Sequence, residues 1–129
     1  MDWHTLAPMD IEKRSFEIIT RELGDTPVAP EHAPVIKRVI HTTADFDYVK
    51  NLYFSPGAVQ SAKEALLTGA HIVTDTNMAR AGINKTLLAR LGGEVHCFIS
   101  DEEVAAAAKE RGITRAAVSM EKACTLGTP

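Results

Sequence analysis

Two short apolar runs place the tightest limit on how this 129-residue chain can fold. The runs AHIVTD (70–75) and EVHCFIS (94–100) each start apolar and end polar, which is typical of buried parallel strands. Between them, NKTLLARLGG has a helical pattern that stops at glycine. A strand–helix–strand order implies parallel strands joined by right-handed crossovers. We therefore predict an α/β fold with a parallel sheet.

Helical periodicity fills most of the remaining sequence. The pattern predicts a first helix over 10–24, with Asp10 as N-cap and Gly24 as the stop, and a second helix over 33–43. These helices precede the first strand, and helical segments also follow each strand. Because two strands make a poor sheet, we expect the sheet to be completed by further chain or by a partner chain.

Polar residues mark the starts of the later helices. Ser55 is the predicted N-cap of a third helix, with Pro56 in its first turn. Ser100 and Glu103 have the spacing of a capping box, and Thr114 is placed to cap the last helix. These signals predict helices over 55–69, 100–112 and 114–123.

Composition excludes several classes of function. The net charge is -3, with 14 basic and 17 acidic residues, so broad nucleic-acid binding is not expected. No apolar run approaches the roughly 20 residues of a membrane span. Cys97 and Cys124 are isolated, and the first residues do not resemble a signal peptide, which predicts a cytoplasmic protein without disulfides.

Two polar positions follow apolar segments and are candidates for chemistry. Asp75 ends the first predicted strand, where ligands bind in open α/β sheets, and Asn77, Met78 and Gly82 would belong to the same rim. His41 ends the second helix, where the helix dipole favours an imidazolium. The alternatives are that Asp75 only caps the next turn and that the histidine is structural.

Three arginines form a further candidate feature. Arg38 and His41 are three residues apart and therefore share a helical face. Thr114 and Arg115 open the last helix, where backbone N–H groups and a guanidinium would bind an anion. Arg14 lies in the first helix. Solvated surface charge is the alternative interpretation for each arginine.

Familiar catalytic motifs are absent from the sequence. It contains no Walker loop, GxGxxG, HExxH, CxxC or GxSxG, so nothing indicates a nucleotide, zinc or serine-nucleophile site. A receiver-type phosphoacceptor module with Asp75 as the acceptor is an alternative from another class. No acidic pair on a preceding strand supports it, and acetyl-phosphate labelling of Asp75 would test it.

Several segments together resemble one enzyme family. RSFEII, RVIHTTADFDY, FSPGAV, GAHIVTDTNMARAGI, VHCFISDEEVA and GITRAAVSM occur here in the order and spacing of the precorrin-8X methylmutases, from about Asp10 onward. The resemblance includes the cobalt-precorrin-8 enzymes. It implies a cofactor-free, metal-free isomerase of cobalamin biosynthesis. Such an enzyme moves a methyl group from C-11 to C-12 of the tetrapyrrole in a 1,5-sigmatropic shift, giving hydrogenobyrinic or cobyrinic acid.

The resemblance also implies roles for particular residues. His41 corresponds to the histidine that donates and accepts the proton in the family, and general acid chemistry suits histidine. Ser15 and the nearby arginines correspond to groups that contact the polycarboxylate substrate. The residues implied to bind substrate are Arg14, Ser15, Arg38, Thr42, Thr43, Asp75, Met78, Thr114 and Arg115.

The family fold resembles a flavodoxin-like three-layer α/β/α sandwich, of which this chain supplies the N-terminal helices and first strands. Relatives continue with a further strand and a GNAPTAL-type loop, whereas this sequence stops at CTLGTP. We therefore expect residues 1–129 to be one C-terminally incomplete domain. It would form a homodimer or associate with the C-terminal part of the same protein. The alternative is an inactive fragment that binds only corrinoid or a partner chain.

Overall fold

The computed structural model describes residues 7–127, and the chain divides into two compact units, residues 1–59 and 60–129. The first unit contains α1 (Pro8–Leu23), α2 (Ala33–Thr43) and α3 (Tyr48–Asn51), and α4 (Ala58–Leu67) begins at its end. The second contains β1 (Ile72–Val73), α5 (Asn77–Gly82), α6 (Lys85–Arg90), β2 (Val95–His96), α7 (Glu102–Arg111), α8 (Arg115–Ala123) and a 3₁₀ turn (Cys124–Leu126). The prediction that residues 1–129 form one domain stays a prediction.

The first unit is built on the packing of α1 against α2. Its buried core consists of Ile19 from α1 with Ile36 and Ile40 from α2. Partly buried residues surround this core, namely Leu23, Val28, Phe46, Tyr48, Val49, Leu52 and Phe54. The predicted second helix over 33–43 is confirmed in full, and its spacing of apolar residues is what turns Ile36 and Ile40 to the same face.

The start of α1 differs from the prediction. The N-cap position is Ala7, without a side-chain cap, and Asp10 lies in the first turn. Pro8 explains the earlier start, because its ring fixes a helical φ and its missing N–H would be unpaired there anyway. Asp10 still complements the helix dipole from inside the first turn. The predicted stop is confirmed, since Gly24 has φ 51°.

Two further helix starts are corrected by the structure. The third predicted helix begins at Ala58, so Ser55 is not its N-cap and Pro56 is not in its first turn. Gly57 has φ 72°, a value that no α-helix accommodates, and it confines the preceding residues to a turn. The capping box of Ser100 and Glu103 does not form either, because Asp101 is the N-cap of α7 and Glu103 bonds to Lys122.

The second unit has a two-stranded parallel sheet. Ile72 pairs with Val95 and Val73 with His96 in the ladder of β1 and β2. The predicted strands are therefore confirmed in position and direction, although only two residues of each form strand. Among residues 7–127 the chain is mostly helical with this small parallel sheet, as expected for an α/β fold.

Helices α7 and α8 pack together through a small core. Val104, Ala108 and Val118 are buried there, with Phe98 and Ala107 packed against them. Thr114 caps α8 as predicted, since its hydroxyl oxygen accepts a hydrogen bond of 3.2 Å from the Ala117 amide. No helix in the described part of the chain is long and apolar enough to cross a membrane.

Candidate active site

One imidazole and one hydroxyl meet where α1 and α2 pack together. The Ser15 Oγ and the His41 Nδ1 lie 2.7 Å apart and share a hydrogen bond. The His41 ring also stacks on Phe16, with ring centroids 5.3 Å apart and an interplanar angle of 20°. Because Ile19 and Ile40 next to these residues are buried in the core, the helix packing fixes the distance between the two polar side chains.

A cavity of about 370 Å³ opens beside this pair. Ser15 and His41 contribute its reactive groups, and its other walls are largely apolar. The remaining lining residues are Ile11, Ile18, Ile19, Glu22, Ile40, Ala44 and Phe46. An apolar cavity with few polar groups is typical of sites that bind organic molecules and orient them.

The hydrogen bond between Ser15 and His41 determines which nitrogen of the His41 ring remains available for proton transfer. Nδ1 is bonded to Ser15, whereas Nε2 has no hydrogen-bond partner within residues 7–127. Histidine is the side chain that exchanges protons near neutral pH, and His41 lies in the last turn of α2. The arrangement can therefore hold an imidazolium by Nδ1–H and present a proton on Nε2.

Arg38 is connected to the same group of residues. Its guanidinium donates a 2.8 Å hydrogen bond to Glu12 and lies over the Phe16 ring, 4.8 Å from the centroid. Arg38 and His41 thus both contact Phe16, as expected from a shared helical face. The hydrogen bond from Arg38 holds the pKa of the Glu12 carboxyl below its ordinary value, and the charges of Arg38 and His41 add to this effect.

A larger cavity of about 760 Å³ lies on the Arg38 side of Phe16. Lys13, Lys37 and Arg38 line it, together with Phe16, Glu17, Thr20, Pro30, Ala33 and Pro34. It does not include His41. Three cationic side chains of the first unit therefore line a cavity whose wall includes Phe16, the ring that also stacks on His41.

Other predicted site residues in the first unit already have partners. Arg14 forms a 3.1 Å ion pair with Glu17. The hydroxyl of Thr42 donates to the Arg38 carbonyl at 3.0 Å, and that of Thr43 donates to the Val39 carbonyl at 2.8 Å. Both threonines are exposed, and both bond to the backbone of α2.

The remaining predicted site residues lie in the second unit. Asp75 is exposed and follows β1 after Thr74, and Met78 in α5 is 84% exposed. Asn77 donates a 3.0 Å hydrogen bond to the Ser100 hydroxyl, which links the segments that follow the two strands. Thr114 caps α8 and Arg115 is its first residue. Helix α7 lies between Ser100 and these two residues in the chain, and its ten residues give it a length of about 15 Å.

Comparison with known proteins decides the family. The family described as "Precorrin-8X methylmutase" matches residues 10–128. The chain belongs to this family. It is 42% identical to the cobalt-precorrin-8 methylmutase of Priestia megaterium over 92% of its own length and 53% of the relative's. It is 46% identical to that of Salmonella typhimurium, over 88% and 57%. The chain spans about half the length of the curated relatives it matches.

A solved methylmutase has the same fold over the shared region. The structure of a precorrin-8X methyl mutase from Thermus thermophilus superposes on this chain with a TM-score of 0.79 at 36% identity. The superposition covers 93% of this chain and 57% of that chain. The helices that present Ser15 and His41 therefore belong to a fold found in a methylmutase.

Sequence reasoning missed two members of the His41 site. Phe16 stacks on His41, and Glu12 pairs with Arg38. A weak signal existed, because Glu12 and Phe16 are four residues apart and hence adjacent on α1. Only the pairing of α1 with α2, however, shows that both face the histidine helix.

Proposed function

We propose that this chain is the N-terminal part of an isomerase that converts precorrin-8X or cobalt-precorrin-8 to hydrogenobyrinic or cobyrinic acid. The reaction moves one methyl group from C-11 to C-12. One observation carries the proposal: in a chain of the methylmutase family, His41 is held by Ser15 at the wall of an apolar cavity.

His41 acts as the general acid in this proposal. The imidazolium donates Nδ1–H to Ser15 and transfers the Nε2 proton to the conjugated system near ring C of the tetrapyrrole. Protonation draws electron density from the bond to the migrating methyl group, and the same nitrogen takes the proton back after the 1,5-shift. A positioned general acid contributes about 10²–10⁴-fold. The isomerisation has no net gain or loss of electrons, so its balance requires no redox cofactor.

The substrate carboxylates are bound by arginines in this proposal. Arg14 and Arg38 each hold an exposed glutamate, and such exposed ion pairs contribute little stability. A substrate carboxylate can therefore replace Glu17 or Glu12, with two parallel hydrogen bonds to the planar guanidinium. Arg115 is the third arginine, and the weaker candidates for substrate contact are Thr42, Thr43, Asp75, Met78 and Thr114.

The complete enzyme in this proposal has the flavodoxin-like three-layer α/β/α fold in the cytoplasm. The two short strands need neighbours before they form a stable sheet. The C-terminal part of the protein supplies them, and two such assemblies form a homodimer. The alternative, a fragment that binds corrinoid or a partner without turnover, keeps the same contacts but lacks the rest of the pocket.

Turnover of the tetrapyrrole tests the proposal. The chain is incubated with precorrin-8X and with cobalt-precorrin-8, alone and after co-expression with the C-terminal half of the Priestia megaterium relative; we call this pair the complemented enzyme. We expect the complemented enzyme to change the visible absorption of one substrate without changing its mass. A stable complex that binds the product but converts neither substrate would support the fragment alternative.

A further inference from the structure

Three side chains with metal-binding atoms converge at the amino ends of the two strands. His71 directly precedes β1, Glu94 directly precedes β2, and His96 lies within β2. The Nδ1 of His71 and the Nε2 of His96 are 2.7 Å apart, and this Nε2 lies 4.0 Å from a carboxylate oxygen of Glu94. One ligand atom from each residue lies within 4.8 Å of the other two.

The strand geometry explains why these side chains meet. Glu94 and His96 are two residues apart on one strand, so they point to the same face of the sheet. The register pairs Ile72 with Val95, which places His71 beside Glu94 on the neighbouring strand. The Ile72 amide donates a 2.9 Å hydrogen bond to the Glu94 carbonyl, and this bond fixes the backbone at the cluster.

The chemistry of the cluster fits a divalent transition-metal ion. Two neutral imidazoles and a carboxylate are the donors that Zn²⁺ and its first-row neighbours prefer. Zn–N bonds of about 2.0–2.1 Å in tetrahedral geometry separate two ligand nitrogens by about 3.3 Å. The observed 2.7 Å between the imidazole nitrogens needs only a small opening. His71 and Glu94 are exposed and can make this adjustment.

We propose that His71, Glu94 and His96 bind one divalent first-row transition-metal ion, with Zn²⁺ as the reference ion. Three protein ligands leave one tetrahedral position for water or another small ligand. A cavity of about 300 Å³ lined by His71 provides room for it. The ion joins the amino ends of β1 and β2, whereas Asp75 and Ser100 follow their carboxyl ends. Its role is therefore to stabilise the strand pair rather than to bind substrate at the carboxyl-end rim.

No motif in the sequence predicts this site. His71 and His96 are 25 residues apart, and no local ligand spacing such as HExxH connects them. Without a metal, the same contacts amount to two stacked imidazoles, with centroids 5.0 Å apart, that share one hydrogen bond. Metal binding predicts that replacing His71 weakens Zn²⁺ binding, whereas simple stacking predicts no such change.

Zn²⁺ titration of the chelator-treated chain tests the proposal, using protein without a polyhistidine tag. We expect one equivalent to bind in calorimetry and to raise the melting temperature. His71→Ala should weaken binding by at least about 10–100-fold, the loss seen when groups that only support metal ligands are removed. His71 is exposed, so its replacement should leave the fold intact. Glu94→Gln should weaken binding less than His71→Ala does, because an amide oxygen still binds the ion, although more weakly than a carboxylate oxygen.

His32→Ala is the matched control. His32 also lies near a glutamate, at 3.3 Å from Glu31, and also stacks on an aromatic ring, that of Phe54. We expect this variant to bind Zn²⁺ like the wild type. The proposal is overturned if one equivalent does not bind, or if the His71 and His32 variants bind equally well. Co²⁺ loading that gives the charge-transfer bands of thiolate ligands would assign binding to a cysteine and also overturn it.

Discussion

At the scale of single residues, the hydrogen bond between Ser15 and His41 separates two roles. His41 carries the proton in the proposed reaction, whereas Ser15 holds the ring in place from α1. A positioning group is expected to contribute the energy of its hydrogen bond, and the acid is expected to contribute the whole proton transfer. The two residues should therefore differ in how much activity their loss removes.

Ser15→Ala in the complemented enzyme should lower turnover by about 2–10-fold, which corresponds to the roughly 0.5–1.5 kcal/mol of one hydrogen bond. Ser15→Thr keeps a hydroxyl at this position and should restore most of the lost turnover. Thr68→Ala removes an exposed hydroxyl that bonds only to backbone carbonyls and serves as the control. Equal turnover in the wild type and the Ser15→Ala variant would show that the hydrogen bond does not position His41.

Sequence reasoning predicted candidate residues for the site, but it did not predict their contacts. His41, Ser15 and Arg38 were all predicted, because their motifs are local. Ser15 and His41 are 26 residues apart, and their contact depends on how α1 packs on α2. The same packing gives Arg38 a carboxylate partner in Glu12, and no sequence pattern contained that information.

At the scale of helices and strands, the ion pair of Glu12 and Arg38 links α1 to α2. The hydrogen bond lowers the pKa of Glu12 from its ordinary 4.5, so the folded state binds the ionised form better than the unfolded state does. The stabilisation is therefore present above the ordinary pKa and is lost as the pH falls through the lowered value.

Urea unfolding of Glu12→Gln tests this pH dependence. The wild type should be the more stable protein at about pH 7, and the difference in unfolding free energy should shrink at about pH 3. In an Arg38→Gln background, the Glu12 substitution should show a much smaller pH dependence, because only the charge of His41 still lowers the pKa of Glu12. A difference of the same size at both pH values would contradict the proposed contribution of the ion pair.

Gly93 allows the amino ends of the two strands to approach each other. A Cβ at this position would lie 2.4 Å from the Ala70 carbonyl oxygen and 3.0 Å from a Leu88 methyl group. We expect Gly93→Ala to lower the free energy of unfolding by about 1–3 kcal/mol, as overpacking does. It should also weaken Zn²⁺ binding by the adjoining His71 and Glu94.

Gly82 in α5 is the matched control for Gly93, because a Cβ there would meet no atom within 4 Å. Gly82→Ala should be neutral or stabilising by up to about 1 kcal/mol, given the better helix propensity of alanine. Equal destabilisation by both substitutions in urea unfolding would show that backbone freedom, rather than the close contact, makes Gly93 necessary.

Helix and strand boundaries show where local sequence information ends. Thr114 and Gly112 act where predicted, because a cap and a left-handed stop depend on nearby backbone alone. Ser55 is not the N-cap that was predicted, because the turn at Gly57 delays the start of the helix to Ala58. The short helix α5 (NMARAG), capped by Thr76, was missed because Met78 is its one large apolar residue. The equally short α6 contains Leu87 and Leu88, and it was predicted.

At the scale of the whole molecule, the two-stranded sheet is the feature that predicts association with a partner. Both strands are only partly buried, and several apolar side chains are exposed, including Leu67 at 69% and Leu87 at 54%. Parallel sheets are normally covered on both faces and contain more strands. The curated relatives are about twice as long as the matched region.

We therefore expect the chain to associate with a second copy of itself or with the C-terminal half of a relative. Sedimentation velocity at micromolar concentration, together with intact-mass analysis, will measure the association. The complemented enzyme should be a stable complex that dissociates less on dilution than the self-associated chain does. A well-folded monomer of the 129-residue chain that does not bind the C-terminal half of the relative would contradict this expectation.

In the proposed mechanism, His41 transfers the proton that allows the methyl group to migrate. The most direct measurement compares turnover of the complemented enzyme with and without His41→Asn, a change that keeps a polar group near Ser15. We predict that turnover falls by about 10²-fold or more while product affinity is retained. Turnover near the wild-type rate in the asparagine variant would contradict the claim and remove His41 from the mechanism.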